Sequence, residues 1–226
     1  MALRYKKDFF DKYDKKYGYL AEEDFSLLIS KLPSPPVNGK LLDLACGSGV
    51  IGEKFQQMFP DVQVIGADIC LPLLKWVTFD ACQADACKLP FRSNSIDHII
   101  AAAAFHHFEH MEAVVKECSR CLKHNGVFMA YDPNKFHPQR LIMMTDPLRH
   151  FFYQTGDKAI SPNYFSKILL QAGIENINIH YTTLTGKEES ILSAINSKVI
   201  LLITKLQLHF LLKSLNPWFI ITGTKQ

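Results

Sequence analysis

From Leu41 onward, short apolar runs alternate with stretches of helical period. The runs Leu41 to Ala45, Val62 to Ala67, Ile96 to Ala102 and Gly126 to Tyr131, with a briefer one from Cys82 to Ala84, are too short for core helices and are bounded by turn residues, so they predict buried strands. Between them, Val50 to Phe59, Leu71 to Val77 and Met111 to Lys123 carry apolar positions three and four apart and predict helices. Strands that alternate with helices predict a parallel sheet covered on both faces. Beyond Asp132-Pro133 the pattern loosens. It resumes with a helix opening at Pro162-Asn-Tyr-Phe-Ser and ending near Gly173, a strand from Asn176 to Tyr181, and a closing strand Pro217-Trp-Phe-Ile-Ile-Thr-Gly-Thr. Upstream, Tyr5, Phe9, Tyr13 and Tyr17 recur at helical spacing among charges, giving an amphipathic helix whose aromatic face either packs on the core or covers a site. Leu32-Pro-Ser-Pro-Pro-Val-Asn-Gly39 then interrupts regular structure before the first strand.

Composition narrows the classes. A chain of 226 residues with 48% hydrophobic content can bury one sizeable core and has little left for a second. Its 25 Lys and Arg against 22 Asp and Glu leave a net charge of only +3, so no nucleic-acid partner is expected. The N-terminal stretch lacks the uninterrupted apolar run of a secretory signal, and no run elsewhere reaches the roughly 18 apolar residues of a membrane span, which predicts a cytoplasmic protein. The six cysteines, Cys46, Cys70, Cys82, Cys87, Cys118 and Cys121, fall inside the predicted elements, as reduced core thiols do. Cys118-x-x-Cys121 has no second pair at ligand spacing, so no metal site is expected.

The segment that changes the picture is Leu41-Leu-Asp-Leu-Ala-Cys-Gly-Ser-Gly-Val-Ile-Gly52: an apolar strand carrying an acid runs through small residues into a helix. Gly47 and Gly49 let the backbone turn tightly and approach a ligand, and the helix start offers free N–H groups. A nucleoside cofactor fits such a turn. The glycine spacing by itself also satisfies the dinucleotide fingerprint, with Asp68 at the distance of its ribose-binding acid, so a nicotinamide-dependent oxidoreductase stays open at this point.

Across nearly its whole length the chain resembles the class I S-adenosylmethionine-dependent methyltransferases. Leu-Asp-Leu-Ala-Cys-Gly-Ser-Gly is similar to that family's first motif, Val-Ile-Gly-Ala-Asp68 to its second strand, Gln83-Ala-Asp85-Ala86 with Leu89-Pro-Phe91 to its adenine-side segment, and Ser95-Ile-Asp97-His-Ile-Ile to its fourth strand. Leu122-Lys-His-Asn-Gly126 stands at the turn before its fifth strand. The resemblance implies a Rossmann-like α/β fold, a seven-stranded sheet of order 3-2-1-4-5-7-6 with the seventh strand antiparallel. It further implies a cofactor site at Asp43 (methionine end), Ala45, Gly47, Gly49, Asp68 (ribose hydroxyls), Ile69, Asp85 (adenine amino group), Ala86 and Ala102. The sequence departs from the family pattern at Ala45, which replaces the first glycine with another small residue, and in the short stretch from Asp68 to Asp85, which leaves little second helix. Residues such as Ile69 and Leu71 would then remake part of the adenine pocket.

On the acceptor side, Phe105-His106-His107-Phe108 stands where many small-molecule members of the family carry a histidine pair. His106 and His107 are candidate general bases because imidazole titrates near neutrality, and His137, leaving the fifth strand on the same edge, is a third. The resemblance makes residues 1–36 a helical lid, 40–132 the cofactor core, and 134–160 and 188–213 acceptor-side inserts of one domain. Tyr13, Tyr17, His106, Arg140, Met144, Arg149 and Tyr153 are the candidate acceptor contacts, with Arg140 and Arg149 suited to a carboxylate or phosphate and Met144 and Tyr153 to an apolar, adaptable wall. The apolar stretch 191–213, with Lys198, Lys205, His209 and Lys213 on one side, reads as a packed lid helix or homodimer face, or as a helix in peripheral contact with a membrane or lipid. No Asp/Asn-Pro-Pro-Tyr/Phe tetrad follows the fourth strand, which again argues against nucleic-acid bases as acceptors. The sequence therefore points to methyl transfer onto an O, N or C atom of a small, partly apolar or lipid-like acceptor, with release of S-adenosyl-L-homocysteine. A non-catalytic, cofactor-binding regulatory module is the remaining alternative.

Overall fold

The structure, a computed structural model, describes residues 22–36, 38–136, 160–182 and 218–226. In chain order these form α1 (Glu22–Ser30), β1 (Gly39–Leu44), α2 (Val50–Met58), β2 (Val62–Asp68), α3 (Leu71–Leu74) and β3 (Asp80–Gln83). There follow β4 (Ile96–Ala102), a 3-10 turn (Phe105–His107), α4 (Met111–Cys121), β5 (Leu122–Pro133), α5 (Pro162–Gln171), β6 (Ile174–Thr182) and β7 (Trp218–Lys225). The seven strands make one sheet of order β3-β2-β1-β4-β5-β7-β6. β1 to β5 pair in parallel, and β7 runs antiparallel to both β5 and β6. The parallel part is what the alternation of runs and periods predicts, and the Rossmann-like order with its antiparallel seventh strand is what the resemblance implies.

Alternate residues of the central strands separate into two cores, because successive side chains of a strand point to opposite faces. Leu42, Ile99, Ala101, Phe128, Ala130, Phe219 and Ile221 pack with Val114, Val115 and Cys118 of α4 and Phe165, Ile168 and Leu169 of α5. Leu41, Val64, Ile100, Val127, Met129 and Ile220 pack with Phe25 and Leu28 of α1 and Phe55 of α2. Both faces are thus covered, which is why these strands read as nearly continuous apolar runs.

Several boundaries move. The third strand is Asp80–Gln83 rather than Cys82–Ala84, because Asp68 pairs with Gln83 and the N–H of Ala84 goes to the carbonyl of Asp68 at 2.9 Å. The helix expected from Leu71 to Val77 is the single turn α3. α4 ends at Cys121 and not Lys123, and β5 already begins at Leu122, which pairs with Ile96. The expected turn at Leu122–Gly126 lies inside β5 as a break in register, since the next partners are His98 and Val127 and Asn125 sits in the left-handed region at φ 61°.

In place of a full second helix, Phe79 lies across the sheet end of α2. A Cβ built on Gly52 would stand 2.2 Å from the Phe79 ring, so the third glycine of the motif makes room for an aromatic ring, not for a ligand. Alongside runs a groove of about 630 Å³ lined by Glu53, Gln56, Gln63, Thr78 and Asp80, at the amino ends of β2 and β3 and so away from the strands' carboxyl ends. Gly52→Ala should lower stability by about 1–3 kcal/mol through overpacking. Urea denaturation should also show a smaller loss for the same change in a Phe79→Ala background; equal losses in both would rule out the ring as the cause.

At the far end of β5, Asn134 and Ile160 form a parallel bridge. The Lys135 N–H donates to the Ile160 carbonyl at 2.9 Å and the Ile160 N–H to the Pro133 carbonyl at 3.2 Å. The two ends of the segment between β5 and α5 are thereby tied to each other at the carboxyl edge of the sheet.

Candidate active site

The glycine turn is gripped by two carboxylates at the ends of neighbouring parallel strands. Asp43, one residue before the end of β1, is buried, and its Oδ2 accepts the Gly52 N–H at 2.9 Å. Asp68, the last residue of β2, accepts the Gly47 N–H on Oδ2 at 2.8 Å and the Cys70 N–H on Oδ1 at 2.7 Å. Between them Gly47 and Gly49 turn with φ 54° and 85°, where glycine carries no Cβ penalty. Ala45 also lies there, at φ 56°, so the alanine in place of glycine stores backbone strain of about 1–2 kcal/mol and is not a change of size alone.

Burial pushes the Asp43 carboxyl up to about 7; the Gly52 N–H opposes this and the negative charge of Asp68 adds to it. Asp68 is raised as well, by burial against three backbone N–H bonds. Cys46, between the two acids, has its thiol pushed up by burial and then by Asp43 and Asp68, so it stays protonated and is no nucleophile at neutral pH. Two carboxylates facing one helix start repel a diphosphate and attract a cation. The N–H groups that a pyrophosphate would need are in part already spent: Gly47 on Asp68 and Gly52 on Asp43. That charge pattern separates this turn from a dinucleotide site.

The comparisons agree. Residues 42–130 match the family model described as a methyltransferase domain. The sheet has the fold of the S-adenosylmethionine-dependent methyltransferases. Similar proteins include the malonyl-[acyl-carrier protein] O-methyltransferase of Legionella pneumophila, 24% identical over 64% of this chain and 56% of that protein. A second is the probable tRNA methyltransferase 9B of Homo sapiens, 32% identical over 40% of this chain and 20% of that protein. Among solved structures, phosphoethanolamine N-methyltransferase 2 of Haemonchus contortus, in complex with S-adenosyl-L-methionine, superposes with a TM-score of 0.73 at 16% identity, over 97% of this chain and 59% of that one. The chain thus spans little more than half the length of the first of these relatives and a fifth of the second. Their names carry three different acceptors, so the likeness fixes the fold and not what this chain modifies.

Around the turn, Ile69 and Leu71 are 42% and 58% exposed immediately after Asp68, an uncommon position for large aliphatic side chains. The Ile69 carbonyl accepts the Gln83 side-chain amide at 2.9 Å, which ties this edge to β3. Asp85 accepts the Cys87 N–H on Oδ1 at 2.8 Å, and Ala86 follows in the same turn. The next residues are held from α4: Glu117 accepts the Leu89 N–H, and Arg120 donates to the carbonyls of Phe91 and Leu89 at 2.8 and 3.1 Å. Ala102 ends β4, and Ala103 beyond it is left-handed at φ 53°, its N–H donating to the Tyr131 carbonyl at 2.7 Å.

That bend starts the 3-10 turn Phe105–His107 and brings out a residue that the sequence reading passed over. Asp132, fully buried near the end of β5, accepts the N–H groups of Phe105 (3.3 Å, Oδ2) and His106 (3.1 Å, Oδ1), and its Oδ1 lies 2.8 Å from His106 Nδ1. The His107 ring lies against that of His106, centroids 3.8 Å apart. His106, one of the three candidate bases, is thereby joined to a buried carboxylate. The signal existed in the sequence: β1, β2 and β5 are all apolar runs that end on or near an aspartate. His137, Arg140, Met144, Arg149, Tyr153, Tyr13, Tyr17 and the stretch 191–213 lie outside the described residues. Among the described residues no helix is long and apolar enough to cross a membrane.

Proposed function

We propose that the chain transfers a methyl group from S-adenosylmethionine to a small, partly apolar acceptor. The observation that carries this reading is the pair of carboxylates, Asp43 buried and Asp68 partly buried, closed on the glycine turn. Bound there, the cofactor supplies a methyl on a positively charged sulfur, already activated for displacement. Asp68, closing β2 beside the turn, is the acid proposed to accept the ribose hydroxyls, and its backbone N–H bonds hold the carboxylate in place for them. Asp85 is the acid proposed to meet an adenine amino group, and Ile69 and Leu71 offer it apolar cover. Asp43 sets negative charge under the cationic methionine end. The remaining work of the protein is to hold an acceptor in line, exclude water and remove a proton where the acceptor has one.

The acceptor lies, on this reading, at the carboxyl ends of β4 and β5, beside His106 and His107 and on the edge of the sheet where Lys135 and Ile160 are tied. His137, Arg140, Met144, Arg149 and Tyr153 belong to the segment between those two residues, and Tyr13 and Tyr17 to the N-terminal aromatic face; they are proposed acceptor contacts. Membrane contact or dimer formation through 191–213 remains part of the same proposal.

Calorimetric titration with S-adenosylhomocysteine and, in parallel, NADH tests the cofactor. Binding of the first and not the second is expected; the reverse, or neither, would sink the reading. The Asp43 shift adds a pH signature. A cation beside Asp43 favours its ionised form, so binding must expel the proton that burial retains up to about pH 7. Affinity for S-adenosylhomocysteine, through its ammonium, should therefore rise from about pH 6 to about pH 8 and then level, with roughly half a proton released near pH 7. Titrations in buffers of different ionisation enthalpy would measure the release, and a pH-independent affinity would contradict this role for Asp43.

A further inference from the structure

The contact between His106 and Asp132 does more than place a histidine near the acceptor. A carboxylate only accepts hydrogen bonds, so a 2.8 Å contact to His106 Nδ1 requires that nitrogen to carry the proton, and the neutral ring then has Nε2 as an acceptor. Asp132 is fully buried, and both of its oxygens are engaged, by the Phe105 and His106 N–H groups and by the ring. It therefore fixes the ring and faces no substrate itself. The His106 side chain is only 11% exposed, and the charged or titratable groups shown against it are Asp132 from β5 and His107 from its own turn.

This arrangement discriminates among acceptors. A carboxylate acceptor has no proton to lose and gains nothing from a base. An amine reacts as its free base, already nucleophilic without a proton acceptor in the transition state, and so gains less from one. A hydroxyl is a poor nucleophile until its proton leaves, and a neutral imidazole backed by a buried carboxylate both takes that proton and stabilises the resulting imidazolium.

We propose that the acceptor is a hydroxyl-bearing molecule, with His106 Nε2 the catalytic base and Asp132 its positioning residue; this rests on the methyl-transfer reading above. The acceptor oxygen forms its bond to the methyl carbon as the carbon–sulfur bond breaks, and the electron pair of that bond goes to sulfur. The hydroxyl proton goes to His106 Nε2 and is later released to water.

The test uses three probes with one apolar frame, 2-naphthol, 2-naphthoate and 2-naphthylmethylamine, with radiolabelled methyl donor, and ¹⁵N-histidine spectra of the full chain saturated with S-adenosylhomocysteine. The naphthol should be the preferred acceptor. His106→Gln and Asp132→Asn should each lower kcat about 100-fold, within the range of general-base loss, with KM and S-adenosylhomocysteine affinity changed less than about threefold. His106 should show the Nδ1–H tautomer in the unaltered protein and shift toward Nε2–H in Asp132→Asn, a change that a purely structural aspartate would not cause. Preference for the naphthoate or the amine, refusal of all three by protein that binds S-adenosylhomocysteine, undiminished kcat in either variant, or an Nε2–H tautomer in the unaltered chain would each overturn the proposal. Failure to bind S-adenosylhomocysteine at all would instead bring down the methyl-transfer reading beneath it.

Discussion

Asp68→Ala is expected to weaken S-adenosylhomocysteine binding by about 100-fold or more, because two hydrogen bonds to a charged acceptor are each worth about 1.5–3 kcal/mol. The change also releases the Gly47 and Cys70 N–H groups, which the carboxylate holds at 2.8 and 2.7 Å, so the turn loses its own shape along with the ribose partner. Asp68→Asn keeps one side-chain oxygen as an acceptor and should lose less. Calorimetry gives the affinities, and the urea midpoint shows whether the fold is retained. If Asp68→Ala binds within about threefold of the unaltered chain, Asp68 is not a cofactor ligand.

Phe165→Ala is expected to cost about 3–5 kcal/mol of stability, as for other fully buried aromatic truncations. The Phe165 ring, on α5, meets Phe105 at 4.6 Å, Phe128 at 6.1 Å and Phe219 at 6.4 Å between centroids, so one side chain joins a helix to β5, β7 and the turn that carries His106. All four rings are fully buried. Its neighbour Tyr164 is half exposed, and Tyr164→Ala should change stability by less than about 1 kcal/mol. Urea denaturation of both variants makes the comparison. A loss below about 1 kcal/mol for Phe165→Ala would mean that the cavity collapses and that this aromatic cluster is not a keystone.

What could be read from the chain follows from how local each signal is. The strands and the Asp43 and Asp68 positions were legible because each acid sits at or near the end of its own apolar run, and the strand order came with the resemblance that those motifs carry. Asp132 has the same signature, yet its partner, His106, is 26 residues away and enters only when β4 and β5 pair. Its neighbour Pro133 made the site look like an exit from the sheet. The role of Gly52 was hidden for a similar reason. The motif gives Gly52 by spacing alone, and only the folding of Phe79 over α2 reveals that the space beside it is filled from within. Ala45 shows the opposite limit: its small size is visible in the sequence, its left-handed backbone is not.

The ties between Pro133, Lys135 and Ile160 have a consequence for how such a protein can change over time. The chain leaving β5 and the chain entering α5 are joined at their feet, so closure is secured by the sheet and not by whatever lies between. A chain closed at its feet in this way tolerates a change of length between them at a cost that grows only logarithmically when the inserted residues carry no structure of their own. Under the proposal that residues between those feet contact the acceptor, substitutions there would redirect recognition while the cofactor turn and the two cores stay as they are. Part of the selection on the acceptor would then fall on a different stretch of sequence from the selection on folding.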